Sequence, residues 1–242
     1  MKTIGYILYQ PYKWLFFIPF LALNTIFFGL LTIVLSYISS SKFASYVGGS
    51  IWAKINTILT PMIVKVKGRE NFDKHQSYII IANHLSLYDI FLVYGWLGID
   101  FKWVMKMELR KVPFLGPACE RLDHVFVDRK NRKASLTSIE KSKSKISNGT
   151  SIVFFPEGTR NQSTSMSKFK KGAFMMALQL QLPVLPITIN GTHKILPTGT
   201  MDLMPGKAEM IIHEPIPIEK YHEESIEELI AISKEKIAAG QW

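Results

Sequence analysis

The feature that most constrains this chain is a gap in its charges. Between Lys13 and Lys42 lie 28 residues without a single Asp, Glu, Lys or Arg. Within that gap, Trp14 to Ile38 is almost wholly apolar. That exceeds the ~20 residues needed to cross a bilayer and is too long for a signal-peptide core. Pro19, Asn24 and Gly29 interrupt the run and permit a kink or a shallow path. A second apolar segment, Phe43 to Val64, carries Lys54 and Gly48-Gly49. It reads as an interfacial amphipathic helix or the return arm of a hairpin. Lys2 and Lys13 precede the pair, and Lys65, Lys67 and Arg69 follow it. The positive-inside tendency then expects both ends on the cytoplasmic face of the cell membrane. A hairpin or a helix pair dipping into one leaflet satisfies this, and a single crossing does not. The sequence thus divides into membrane-associated helices over 1–64 and a second unit over 65–242.

Charge elsewhere is uneven. The chain of 242 residues has a formal net charge of +10. The stretch from Lys102 to Lys171 holds 16 Lys/Arg against 6 Asp/Glu, so it contains the whole excess. Such a region attracts nucleic acid, anionic lipid headgroups or phosphorylated substrates. Lys133, Lys141, Lys143 and Lys145 read instead as a solvated helix face. The only cysteine, Cys119, excludes an internal disulfide framework and a multi-Cys zinc site.

The second unit reads as α/β. Short apolar runs at Tyr78–Ala82, Val125–Val127, Ile152–Phe155, Val184–Ile189 and Ala208–Ile212 have the Ile/Val/Phe content of buried strands. Helix-period segments alternate with them at Leu87–Leu97, Lys133–Ile146, Gly172–Leu180 and Glu224–Ala239. This alternation predicts a mixed, largely parallel sheet flanked by helices, with the hydrophobic membrane-associated segment in front of it. Asn161 to Ser167 is the expected flexible loop.

Two motifs carry chemistry, and both follow strands, where α/β sheets place ligands. In Asn83-His84-Leu85-Ser86-Leu87-Tyr88-Asp89, His84 and Asp89 are five residues apart. On one helix that is about 140° of rotation, a poor pairing. With His84 in a turn and Asp89 in the first helical turn, the carboxylate can fold back on the imidazole and make it a general base. Equally, Ser86-x-x-Asp89 matches a capping box, which would leave Asp89 a helix-start carboxylate. In Phe155-Pro156-Glu157-Gly158-Thr159-Arg160, Gly158 permits unusual backbone angles and Arg160 offers a planar fork for phosphate. Lys168, Lys170 and Lys171 add cations ahead of a helix start. A plain turn with a surface Glu157–Arg160 ion pair fits the same residues.

Taken in order, these motifs resemble those of the glycerolipid acyltransferases, most closely the bacterial 1-acyl-sn-glycerol-3-phosphate acyltransferases. Four blocks carry the resemblance: His84 to Asp89; Val125-Phe126-Val127-Asp128-Arg129; Phe155 to Arg160; and Leu182-Pro183-Val184-Leu185-Pro186-Ile187. Asp123 and His124 stand where the family often has glycine before the second block. Lys106-x-Glu108-Leu109, with Pro113 and Gly116, is a further similar segment, and the likeness covers roughly residues 66–212.

The resemblance implies transfer of a fatty acyl group from acyl-CoA or acyl carrier protein to the sn-2 hydroxyl of lysophosphatidic acid, giving phosphatidic acid. It implies His84 as general base, oriented by Asp89. It implies Arg129, Glu157, Gly158, Thr159, Arg160 and Lys106 as acceptor-binding positions. Glu157 cannot attract phosphate, so it positions Arg160 or accepts an acceptor hydroxyl. No cofactor beyond the acyl donor and no metal are expected, and the six histidines are scattered without ligand spacing. Membrane lipid is the expected partner. Nucleic acid is not, because no basic recognition helix or aromatic–basic array is present. A hydrolase would want a Gly-x-Ser-x-Gly elbow, which is missing. The competing acceptors are another lysophospholipid, glycerol 3-phosphate or an aminolipid; a membrane-tethered thioesterase or anion-binding protein is more distant.

Overall fold

The computed structural model describes residues 2–146, 149–160 and 166–242. Of the loop expected over 161–167, residues 161–165 lie outside the described residues. Among the described residues, seven strands form one sheet: β1 Met62–Lys67, β2 Ile79–Ala82, β3 Phe101–Lys106, β4 Val125–Val127, β5 Ser151–Phe154, β6 Val184–Asn190 and β7 Gly206–Ile212. The order across the sheet is β1-β7-β6-β2-β5-β3-β4. All neighbours are parallel except β6 and β7. The helices are α1 Lys2–Tyr12, α2 Ile18–Ile38, α3 Ser41–Ser45, α4 Trp52–Leu59, α5 Tyr88–Trp96, α6 Leu115–Arg121, α7 Arg132–Ser142, α8 Gly172–Leu180, α9 Thr192–Ile195 and α10 Ile226–Ala239.

The sheet is covered on both faces, as parallel sheets must be. Along β2 the side chains alternate: Ile80 and Ala82 join a core beneath the N-terminal helices and α5, whereas Ile79 and Ile81 join the core beneath α8 and α10. The expected strands and helices all form, with ends shifted by a few residues. Two strands went unread. β1 lies partly inside the segment expected to be helical to residue 64, so the boundary expected between 64 and 65 falls within a strand. β3 contains two lysines, and Lys102 is buried, its Nζ donating to Ser41 Oγ at 3.2 Å and lying 3.8 Å from Asp100 Oδ2.

The N-terminal segment is a helix pair. One continuous helix, Ile4–Ile38, is long and apolar enough to cross a membrane, with a mean hydropathy of 2.2 in its most apolar window. A π-helical turn at Lys13–Phe17 connects α1 to α2. Pro19 explains it, because proline lacks the N–H that an α-helix would aim at the Leu15 carbonyl. The chain reverses at Ser39–Ser40, and the return arm runs through α3, a second π-helical turn at Tyr46–Ile51 and α4. Gly48 and Gly49 make that second turn possible at close range. A Cβ on Gly49 would stand 2.0 Å from Tyr94 Cζ, and one on Gly48 would stand 1.6 Å from Thr32 Oγ1.

The pair has two unlike faces. Phe17, with Tyr9, Tyr12, Ile18 and Leu21 around it, packs into the same core as the sheet. Trp52 lies 4.9 Å from the Phe91 ring, and Tyr12 Oη donates to the Leu59 carbonyl at 2.8 Å. Leu15, Phe16, Leu23, Phe27 and Ile38 face outward and are exposed. A contiguous apolar face of this kind marks an interaction surface rather than a solvated one. Lys13 departs from its expected place as a flanking cation: it is buried, donating to the Met201 carbonyl at 3.0 Å and lying over the Trp14 ring.

Candidate active site

The site is built at the carboxyl ends of four adjacent parallel strands. β2 ends at Asn83-His84, β5 at Phe155-Pro156-Glu157, β3 at Lys106 and β4 at Asp128-Arg129. At the usual interstrand spacing the four ends span about 14 Å.

His84 sits in the turn between β2 and α5, and it is nearly buried. Its Nδ1 lies 2.8 Å from Asp89 Oδ2. The same oxygen accepts from the Leu85 N–H at 2.7 Å and the Ser86 N–H at 2.9 Å. Ser86 Oγ in turn accepts from the Tyr88 N–H at 3.2 Å. The helix-start contact and the carboxylate–imidazole contact are therefore both made. Asp89 starts the helix, and its carboxylate also meets the imidazole. A carboxylate at Nδ1 holds the proton on that nitrogen and leaves the Nε2 lone pair available. None of the described residues bonds Nε2.

The turn is anchored on every side. Asn83 extends the β2–β6 ladder with its side chain, donating from Nδ2 to the Ile189 carbonyl at 2.9 Å and accepting at Oδ1 from the Ile189 N–H at 2.7 Å. Ser86 Oγ donates to the Leu196 carbonyl at 2.7 Å, and Thr198 Oγ1 donates to the Leu85 carbonyl at 2.9 Å. The Phe155 ring lies flat on the imidazole, with centroids 3.9 Å apart and planes at 11°. Trp103 stacks behind Phe155 at 5.8 Å. Sequence reasoning missed Phe155 and Glu157 as partners of His84, and Asn83 as the tie of its turn to β6, although all three lie inside the motifs it singled out.

The second motif forms a tight turn. The Gly158 N–H donates to the Phe155 carbonyl at 2.9 Å, and Gly158 holds φ at +77°, the left-handed region that favours glycine. The Arg129 guanidinium donates to the Gly158 carbonyl. Lys170 crowds the same point, its Nζ 2.5 Å from where a Gly158 Cβ would stand. Partial desolvation lowers the Arg129 pKa, Glu108 opposes that, and Arg160 adds to it. These couplings place Arg129, Arg160 and Glu108 in one neighbourhood. Lys106 pairs with Glu108 at 3.1 Å and is exposed, as are Thr159 and Arg160. Glu157 is buried at 4% exposure, and its two oxygens accept from the His84 N–H at 2.9 Å and the Ser167 N–H at 2.8 Å. Elsewhere in the basic stretch many cations are paired: Lys145 with Asp123, Lys143 with Glu140 and Arg110 with Glu120. Lys133 and Lys141 lie exposed on α7.

His124, just before β4, is buried. Its Nδ1 accepts from the Trp103 N–H at 3.2 Å, so its Nε2 carries the proton toward Tyr94 Oη, also at 3.2 Å. Tyr94 Oη meets Ser45 Oγ at 3.0 Å. Burial, then Lys102, pushes the His124 pKa down to about 3. The unfolded chain, with histidine near 6.5, then binds a proton that the folded chain refuses. The resulting stability is complete above about pH 6.5 and is lost as pH falls toward 3, at about 1.4 kcal/mol per unit. About 2 kcal/mol should be gone by pH 5. Thermal melts between pH 4 and 7 should show this slope, and His124→Gln should flatten it. An unchanged slope in the variant would assign the acid sensitivity to other groups.

The fold and site thus define an α/β protein with a His–Asp pair and several cations at the carboxyl edge of a mainly parallel sheet, backed by an apolar helix pair. The chain belongs to the acyltransferase family, whose sequence model matches residues 63–190. A 1-acyl-sn-glycerol-3-phosphate acyltransferase of Chlamydomonas reinhardtii is 31% identical over 191 residues, covering 78% of this chain and 57% of that protein. A chloroplastic one of Arabidopsis thaliana is 32% identical over 177 residues, covering 72% of this chain and 49% of that protein. The chain thus spans about half the length of these curated relatives. The crystal structure of the 1-acyl-sn-glycerophosphate acyltransferase PlsC from Thermotoga maritima matches with a TM-score of 0.80 and 29% identity, over 99% of this chain and 97% of that one.

Proposed function

We propose that the protein transfers a fatty acyl group from a thioester donor, acyl-CoA or acyl carrier protein, to the sn-2 hydroxyl of 1-acyl-sn-glycerol 3-phosphate. The product is phosphatidic acid, a precursor for phospholipid synthesis. The observation that carries this reading is the His84 Nδ1–Asp89 Oδ2 contact of 2.8 Å on the same sheet edge as Arg129 and Arg160. The named activities of the relatives agree with it.

In this reaction His84 Nε2 takes the proton of the acceptor hydroxyl as its oxygen attacks the thioester carbonyl. Asp89 keeps the imidazole in the tautomer that can accept there and stabilises the imidazolium. The tetrahedral intermediate collapses, the C–S bond breaks, and the imidazolium returns the proton to the departing thiolate. No enzyme nucleophile and no cofactor beyond the donor are needed. Arg129, Arg160 and Lys106 hold the acceptor phosphate, with the Gly158 backbone and Thr159 hydroxyl beside them. The apolar outer face of Ile4–Ile38 rests in the cytoplasmic leaflet, where an acceptor with its own acyl chain resides.

Purified protein in liposomes, given lysophosphatidic acid and either donor, should yield phosphatidic acid detectable by mass. Product from a lysophospholipid, an aminolipid or glycerol 3-phosphate alone would discard this acceptor. Thiol release without any acceptor would make the protein a thioesterase.

A further inference from the structure

We propose that Glu157 is a positioning residue for His84 rather than a contact for the acceptor. This rests on His84 being the base. The Glu157 carboxylate is buried, and each oxygen accepts from a fixed backbone donor, the His84 N–H at 2.9 Å and the Ser167 N–H at 2.8 Å. Burial at 4% exposure keeps both oxygens from an incoming acceptor hydroxyl, and a phosphate would meet a like charge. No described residue links Glu157 to Arg160. Two positions earlier, Phe155 covers one face of the imidazole, with Trp103 behind it. The same turn therefore grips His84 twice, by its backbone and by its ring. Asp89 fixes the Nδ1 edge, and Asn83 ties the preceding residue to β6. Immediately after Glu157, the Gly158 carbonyl receives Arg129. Glu157 is thus the link that sets the distance between the base and the cations that hold the phosphate. A displacement of about 1 Å at such a base costs about a hundredfold in rate.

The test is Glu157→Gln. The amide is nearly isosteric, but its one oxygen can satisfy one N–H, and its NH2 group faces the other. Three quantities are measured in the full-length protein: kcat, KM for lysophosphatidic acid, and the rate at which diethyl pyrocarbonate modifies His84 without substrate, read by peptide mass. The expected result is a fall in kcat of about 10- to 100-fold, a KM within about threefold of wild type, and a His84 modification rate changed by more than about threefold. Phe155→Leu, which keeps apolar volume but loses the flat ring, should give the same signature and stands in if the first variant does not fold. A KM raised about tenfold with kcat and His84 reactivity as in wild type would make Glu157 an acceptor contact and overturn the proposal. Three unchanged quantities would overturn it as well. The modification rate needs no acceptor, so a wild type that forms no phosphatidic acid would discard the reaction while His84 reactivity still decides the role of Glu157.

Discussion

Replacing His84 by alanine is expected to lower kcat about a thousandfold, the middle of the range a positioned general base contributes. An sn-2 hydroxyl is neutral and weakly acidic, so its attack on a thioester needs its proton removed in the transition state. Nε2 is placed for that role because Nδ1 is committed to Asp89. KM for lysophosphatidic acid should change little, since Arg129, Arg160 and Lys106 are untouched. The fold should persist. Asp89 keeps two backbone donors, Leu85 and Ser86, and Asn83 still ties the turn to β6. Stability should fall by about 1–3 kcal/mol from the lost ring contact with Phe155 and the lost hydrogen bond. Turnover by product mass, with thermal melts of both proteins, checks this. Undiminished product from the alanine variant would remove His84 from the chemistry.

Much of this arrangement can be read from local sequence, and the reasons differ by element. Val125–Val127 and Ile79–Ala82 are legible because strands buried on both faces need only be apolar and short. β3 is not, because Lys102 breaks its pattern. That lysine is tolerated inside by Asp100, two residues earlier, and by Ser41 from the helix pair, a partner 61 residues away that the local sequence does not announce. β1 escapes notice for a similar reason. Its alternating Lys65 and Lys67 are answered by Glu209 on β7, far along the chain, and the strand follows directly on an apolar helix.

The site divides along the same line. The His84–Asp89 contact is local, and its spacing narrows the options to a cap or a side-chain pair; the turn geometry makes both contacts at once. The contacts that hold His84 from outside its own loop are not local. Glu157 lies 73 residues away and Ile189 is 106 from Asn83, so their pairing depends on β2 lying between β5 and β6. Strand order is a property of the whole sheet, and no motif states it. The motifs therefore pick out candidate residues without stating which of them hold one another.

Asp89→Asn is expected to cost at least as much as loss of His84 itself, for a different reason. Asp89 Oδ2 gathers three donors: His84 Nδ1 and the N–H groups of Leu85 and Ser86. Asparagine has almost the same shape, so its carbonyl oxygen can keep the two backbone donors and the start of α5 should survive. Its NH2 group then faces the imidazole and donates to Nδ1, which drives the ring proton to Nε2. The nitrogen that must accept the hydroxyl proton is then already protonated, and the developing imidazolium loses its counter-charge. An aspartate-to-asparagine change at a His-bound carboxylate of this kind costs on the order of 10⁴ in kcat through the wrong tautomer. A loss of about 10³ to 10⁴ is expected here, with a melting temperature close to wild type. Because both residues act as one unit, the double variant His84→Ala/Asp89→Asn should be no slower than the slower single variant. If Asp89→Asn keeps more than about a tenth of wild-type turnover, the carboxylate serves the helix start alone. Fully multiplicative losses would mean instead that the two side chains contribute separately, and that the 2.8 Å contact between them is structural rather than catalytic.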